Sequence, residues 1–124
     1  MALYPLEEFK SLVLSSNWTF LNEERPFRTL EKLDWNKDNL AQVLNGLHQD
    51  DFQKTVPKCK INNFVSEDFV IADQYEVHWD ENEGARQPYQ TNTTVSLSLK
   101  IAIMTNSEGQ LAGIVTFHLS GSPY

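Results

Sequence analysis

LDWNKDNLAQVLNGLHQDDFQKTV, residues Leu33 to Val56, joins an amphipathic helix to a tail in which one aromatic residue sits among charges. Leu40, Val43, Leu44 and Leu47 recur at intervals of three, one and three, which places four apolar side chains on one helical face and makes that face core. Asn36 is positioned to cap the start, Asp38 falls in the first turn where the helix dipole favours an anion, and His48 lies at the end that favours a cation. The helix is expected to stop between Gly46 and Gln49. Beyond it, Asp50, Asp51, Phe52, Gln53 and Lys54 form a short exit segment from which a charged side chain can be aimed at a ligand.

Before this stretch, Pro5 in a first turn, Glu7 and Glu8 behind it, and Leu6, Phe9, Leu12 and Val13 on one side predict an opening helix that ends near Ser15. Asn17 to Leu21, with Trp18 and Phe20 in alternation, reads as a short strand or an extended connector, and Pro26, Phe27, Leu30 and Leu33 as a short second helix. After it the period changes from helical to two. Phe69, Ile71, Asp73, Tyr75, Val77 and Trp79 alternate with more polar residues, and Val95, Leu97, Leu99, Ile101 and Ile103 alternate with Ser96, Ser98 and Lys100. Asn106 to Gly109 reads as a turn that returns into Leu111 to Leu119, with Leu111, Val115, Phe117 and Leu119 toward the core. Asp80 to Asn92, with Gly84 and Pro88, reads as a mobile polar loop long enough to cover or flank a site.

Helices followed by antiparallel strands predict an α+β fold, with the N-terminal helices packed on one face of a small antiparallel sheet. The other face is then available for function. On it, a turn centred near Glu108 sets Ser98 close to His118 and Lys100 close to Thr116.

A chain of 124 residues predicts a single domain, 1–124, able to build a core without disulfides or metal. Cys59 is the one cysteine, so no disulfide framework exists, and Met1 to Lys10 lacks the basic start and apolar run of a signal peptide. A cytoplasmic protein is expected, with no membrane partner, and the Asn17 and Asn92 sequons then carry no meaning. Ten basic against 17 acidic residues give a net charge of −7, and no Lys or Arg occurs from Ile61 to Ala85. That stretch holds Glu67, Asp68, Asp73, Glu76, Asp80, Glu81 and Glu83, a field that repels phosphate backbones and attracts a basic partner.

Individual candidates are few. His78 and Asp80 have the alternate spacing that lets two side chains reach one ion, but no third ligand accompanies them, so no metal and no cofactor are expected. Cys59 lies between Lys58 and Lys60, where a thiol pKa can be lowered. Asp73 and Tyr75 interrupt an apolar strand face, where a carboxylate needs partners, and are read as a structural hydrogen-bond network. Trp18, Trp35 and Trp79 are assigned to packing.

With the elements in this order, the chain resembles the MqsR family of RelE-like messenger-RNA-cleaving toxins. The family pattern runs from an LGF-like start through an amphipathic helix into F-Y-K-[ST]-M, similar here to Phe52, Gln53, Lys54, Thr55 and Val56. Its W-Q-D-V-Y box resembles Ile71, Ala72, Asp73, Gln74 and Tyr75, its L-Y-x-K strand resembles Leu97, Ser98, Leu99 and Lys100, and its closing S-F-K resembles Thr116, Phe117 and His118. The family's catalytic lysine, glutamine, tyrosine and second lysine fall on Lys54, Ala72, Ser98 and His118. Only the first is unchanged, although a histidine is a better proton shuttle near neutral pH than the lysine it replaces.

Two functions follow as expectations. In the first, a catalytically degenerate member of a toxin–antitoxin or toxin–immunity system, an acidic immunity or inhibitor protein, binds a basic nuclease toxin through Glu67, Asp68, Glu76, Asp80, Glu81 and Glu83. In the alternative, a divergent metal-free ribonuclease toxin, held inactive by a cognate antitoxin, binds RNA and cleaves it with Lys54, Lys100 and His118. Net charge and the loss of glutamine and tyrosine weigh toward the first.

Overall fold

A computed structural model describes residues 2–64 and 67–120. The chain runs α1 (Leu6–Leu14), β1 (Trp18–Phe20), α2 (Glu24–Leu33), α3 (Lys37–Gly46), a single 3-10 turn (Gln49–Asp51), β2 (Phe52–Lys60), β3 (Phe69–Asp80), β4 (Ala85–Gln87), β5 (Thr94–Asn106) and β6 (Gly109–Leu119). The strands form one sheet in the order β1-β6-β5-β3-β2, with β4 beside β3. The β1–β6 pair is parallel and all the others are antiparallel. This is the expected α+β arrangement, with the helices N-terminal and β1 the one strand set among them.

The helices form where local chemistry favours them. Asn36 accepts from the Asn39 amide at 3.1 Å and Asn39 returns a bond to the Asn36 amide at 2.9 Å, a reciprocal cap that satisfies two donors at the start of α3. Removing it with Asn36→Ala is expected to cost about 1 kcal/mol, read as a lower urea midpoint with an unchanged slope. Helix α2 ends because Asp34 adopts a left-handed φ of 56°, which releases the chain into Trp35 and then α3.

Phe9, Val13, Leu30, Leu40, Val43, Leu44 and Leu47 from the helices meet Tyr75, Val77, Trp79, Leu97, Leu99 and Phe117 from one sheet face. Each large side chain so buried contributes roughly 1.5–3 kcal/mol of transfer free energy, which is why this face is closed to ligands. Gly46 lets α3 approach the sheet, since a Cβ there would lie 2.9 Å from the Trp79 ring. The Asp73 carboxylate, fully buried at the margin of this layer, accepts from the Leu3 amide (3.0 Å), the Tyr4 amide (2.8 Å) and the Thr55 hydroxyl (2.7 Å). It pins the segment before α1 to β2 and β3. The Tyr75 ring stands edge-on to Phe52 at 5.7 Å, and burial, aided by Asp73 and Asp51, pushes its phenol up to about 12. Because the unfolded phenol ionises near 10 and the folded one near 12, this contribution is intact below pH 10 and is lost as pH rises through 12. Denaturant unfolding at pH 9 and pH 11.5 is expected to show a fall of roughly 2 kcal/mol from this group, absent in Tyr75→Phe.

Three expectations are corrected. The segment after α3 is not a short exit but a nine-residue edge strand, β2. Its alternation is hidden because Pro57 and two register shifts interrupt the ladder and because lysines on an edge can face water. Nor is the polar loop after Asp80 simply open: it folds back as β4, and Arg86 grips Asp51 through two 2.8 Å bonds. Val115 does not join Phe117 under the helices but packs on the opposite face with Leu21, Cys59, Ala72 and Met104.

Candidate functional site: a cationic groove on the open sheet face

The displaced Val115 decides the geometry of the site. A two-residue turn sets Asn106 opposite Gly109, and continued without interruption that register would place Lys100 opposite Val115. Val115 is instead the extra residue of a β-bulge, so Lys100 faces Thr116 and Ser98 faces His118. The pairing expected from the sequence is therefore present, produced by a tighter turn plus a bulge.

Across the open face, one cross-strand row reads Lys54, Gln74, Lys100 and Thr116, and the next reads Glu76, Ser98 and His118. At one end this face is covered. Asn22 donates to the Lys60 carbonyl at 3.0 Å and to the Val115 carbonyl at 2.9 Å, and the Asn62 amide donates to the Leu21 carbonyl at 3.0 Å. Strands β2 and β6 are separated in the sheet by β3 and β5, so these bonds require the β2–β3 ribbon, in which Cys59 stays paired with Val70 and Lys60 with Phe69, to curl over the face at its end. Cys59 and Ile61 of this segment pack in one buried cluster with Ala72, Ala102 and Val115. Gly113 is needed there, because a Cβ would fall 2.5 Å from Leu21 Cδ1.

Between the crossing segment and the polar half of the face is a groove of about 600 Å³. Its floor is Lys100, Thr116 and His118, one wall is Val56 with Lys58 to Lys60, and the other is Asn22, Glu24 and Arg25. Among the described residues, four permanent cations, Arg25, Lys58, Lys60 and Lys100, line it together with one acid, Glu24, which lies 3.4 Å from Arg28 one turn along α2. In a chain of net charge −7 this is a local reversal of sign. The His118 Nδ1 lies 2.9 Å from the Leu119 carbonyl, which can only accept, so Nδ1 carries the proton and Nε2 of the neutral ring is left as a base. The buried Thr116 hydroxyl in the floor has no hydrogen-bond partner among the described residues. The Cys59 thiol is nearly buried, and burial pushes its pKa up more than Lys100 lowers it, which disfavours the reactive thiolate.

The structure brings Lys100 and His118 together in the groove. Lys54 is exposed on the same row as Lys100, two strands away, about 10 Å between backbones. Ala72 is fully buried in the cluster with Cys59 and Ile61, and Ser98 is buried beside His118. The acidic residues do not form one patch. Glu67 and Asp68 precede β3, whereas Asp80 ends its twelve residues and Glu81 and Glu83 follow, roughly 35–40 Å of strand away. Asp80 is buried and accepts from the Asn82 and Glu83 amides and the Thr93 hydroxyl, Glu76 accepts from Ser120, Glu81 from the Trp35 indole and Glu83 from Gln87. His78 lies 2.9 Å from the Ser96 hydroxyl, and among the described residues no group of three His, Cys, Asp or Glu side chains is placed to hold a metal ion.

Sequence reasoning passed over Asn22, Arg25, Lys58 and Lys60 as site residues. Lys58 and Lys60 were visible only as neighbours of Cys59, because without β2 nothing indicated that they cross to the face holding Lys100. Among the described residues no helix is long and apolar enough to cross a membrane. No protein-family model matches the chain, and no curated protein and no solved structure is significantly similar to it.

Proposed function

We propose that the protein is a divergent ribonuclease of the MqsR and RelE-like type, binding the RNA backbone on the open sheet face and cleaving it at His118. The observation that carries this reading is the convergence of Lys100 and a base-competent His118 on the floor of a cationic groove in an otherwise acidic protein. In the step itself, His118 Nε2 takes the proton of a ribose 2′-hydroxyl and the 2′-oxygen bonds to the adjacent phosphorus. The bond from phosphorus to the 5′-oxygen then breaks, leaving a 2′,3′-cyclic phosphate. Lys100 neutralises charge on the phosphorane, and the Lys54 ammonium, on the same row, donates the proton that the leaving 5′-oxygen needs.

The second reading, an acidic immunity protein for a basic nuclease toxin, draws on the net charge of −7 and the exposed Glu67, Asp68, Glu81 and Glu83. The two readings part on one experiment: expression of the chain alone in bacteria, and incubation of the purified protein with RNA. Growth arrest and cleavage to cyclic-phosphate ends are expected. Harmless expression, intact RNA and co-purification with a basic protein would instead establish the immunity reading.

A further inference from the structure

The geometry points to a second phosphate subsite, formed by Lys58 and Lys60 on the wall of the groove and distinct from the reaction centre at Lys100 and His118. It rests on the proposal that RNA occupies the groove, and it gives the wall a separate role, that of holding a phosphate of the chain that is not cleaved. Lys100 and His118 come from the central strands β5 and β6, whereas Lys58 and Lys60 come from the segment that crosses above them. A ligand with a single phosphate can satisfy the floor. A longer strand that leaves along the groove passes the wall.

The wall residues are suited to that role. Both lysines are exposed, so their ammonium groups are hydrated and mobile, appropriate for a backbone contact that tolerates any base. Lys58 rests 4.5 Å over the Phe69 ring, a contact worth about 0.5–1 kcal/mol at an exposed site and readily exchanged for a phosphate. Their backbone is fixed even though their side chains are not, because Asn22 ties the Lys60 carbonyl to the bulge at Val115 and Asn62 is bonded to Leu21. Among the described residues, Phe117 is the one Phe, Tyr or Trp lining the groove, and it is buried in the core on the other side of the sheet. Base stacking therefore contributes little, and affinity must grow with the number of phosphates engaged.

The test uses the full chain with 2′-O-methyl oligouridylates, which cannot be cleaved, comparing a dinucleotide with a hexanucleotide by NMR or fluorescence titration. The native chain is expected to bind the hexamer at least tenfold more tightly. Lys58→Ala with Lys60→Ala should weaken the hexamer roughly tenfold, lower its logarithmic salt slope by about 1.4, and weaken the dinucleotide by less than about twofold, whereas Lys100→Ala weakens both strongly. Equal affinity of the native chain for the two lengths, an unchanged hexamer in the double variant, or equal weakening of both ligands would overturn the subsite while leaving the groove reading in place. Failure of the native chain to bind either oligonucleotide would overturn both.

Discussion

His118→Ala is expected to lower the rate of RNA cleavage by about 10²–10⁴-fold, the contribution of a positioned general base, while weakening RNA binding little. The expectation follows from the 2.9 Å contact between Nδ1 and the Leu119 carbonyl, which holds the ring in the tautomer whose Nε2 can accept a proton. Binding should survive because Arg25, Lys58, Lys60 and Lys100 supply permanent positive charge to the groove. Lys100→Ala should behave differently, reducing both binding and turnover, since a cation near the phosphate acts on the ground state and the phosphorane alike. Single-turnover cleavage of a fluorescent oligoribonucleotide, with binding measured separately on a 2′-O-methyl analogue, separates the two. Wild-type rates in His118→Ala would remove His118 from the chemistry. Loss of binding in that variant with unchanged chemistry on the bound fraction would make it a phosphate contact instead.

Asp73→Asn is expected to destabilise the fold by roughly 2–4 kcal/mol, a drop in Tm on the order of 10 °C. The carboxylate is fully buried and accepts three hydrogen bonds, two from backbone amides before α1 and one from Thr55. An amide side chain of the same shape turns an NH₂ group toward at least one of these donors, and the pairing lost is of the charge-assisted kind. Thr55→Val removes a single bond to the same carboxylate and should cost only about 1 kcal/mol. Thermal and urea unfolding distinguish the cases. Equal stability of Asp73→Asn and the native chain would show that the segment before α1 does not depend on this anchor.

The legible parts of the sequence are those where one period persists. Leu40, Val43, Leu44 and Leu47 gave α3 its buried face, Asn36 its cap, and the alternation through β3 and β5 the central strands, because burial on one side leaves a repeating mark. Edge elements carry no such mark. Strand β2 has Pro57 and lysines in place of alternation, and β4 is three residues held by Arg86 on Asp51, a pair 35 positions apart. The pairing of Ser98 with His118 and Lys100 with Thr116 was foreseen, but its cause was not: a one-residue bulge at Val115 offsets a tighter turn.

By itself the sequence determined the α+β order, the helix-covered face and the opposite face carrying Lys100 and His118, since each is written in local periodicity. The stretch from Leu33 to Val56 held both halves of the matter, a helix that packs and a strand that was not apparent. Only the tertiary structure decided that the end of the β2–β3 ribbon curls over the open face, that Asn22 ties it to the bulge, and that Lys58 and Lys60 line a groove with Lys100. Contacts between residues 38 to 93 positions apart leave no local pattern, because hydrogen bonding between distant segments is set by how the layers stack and not by neighbours along the chain.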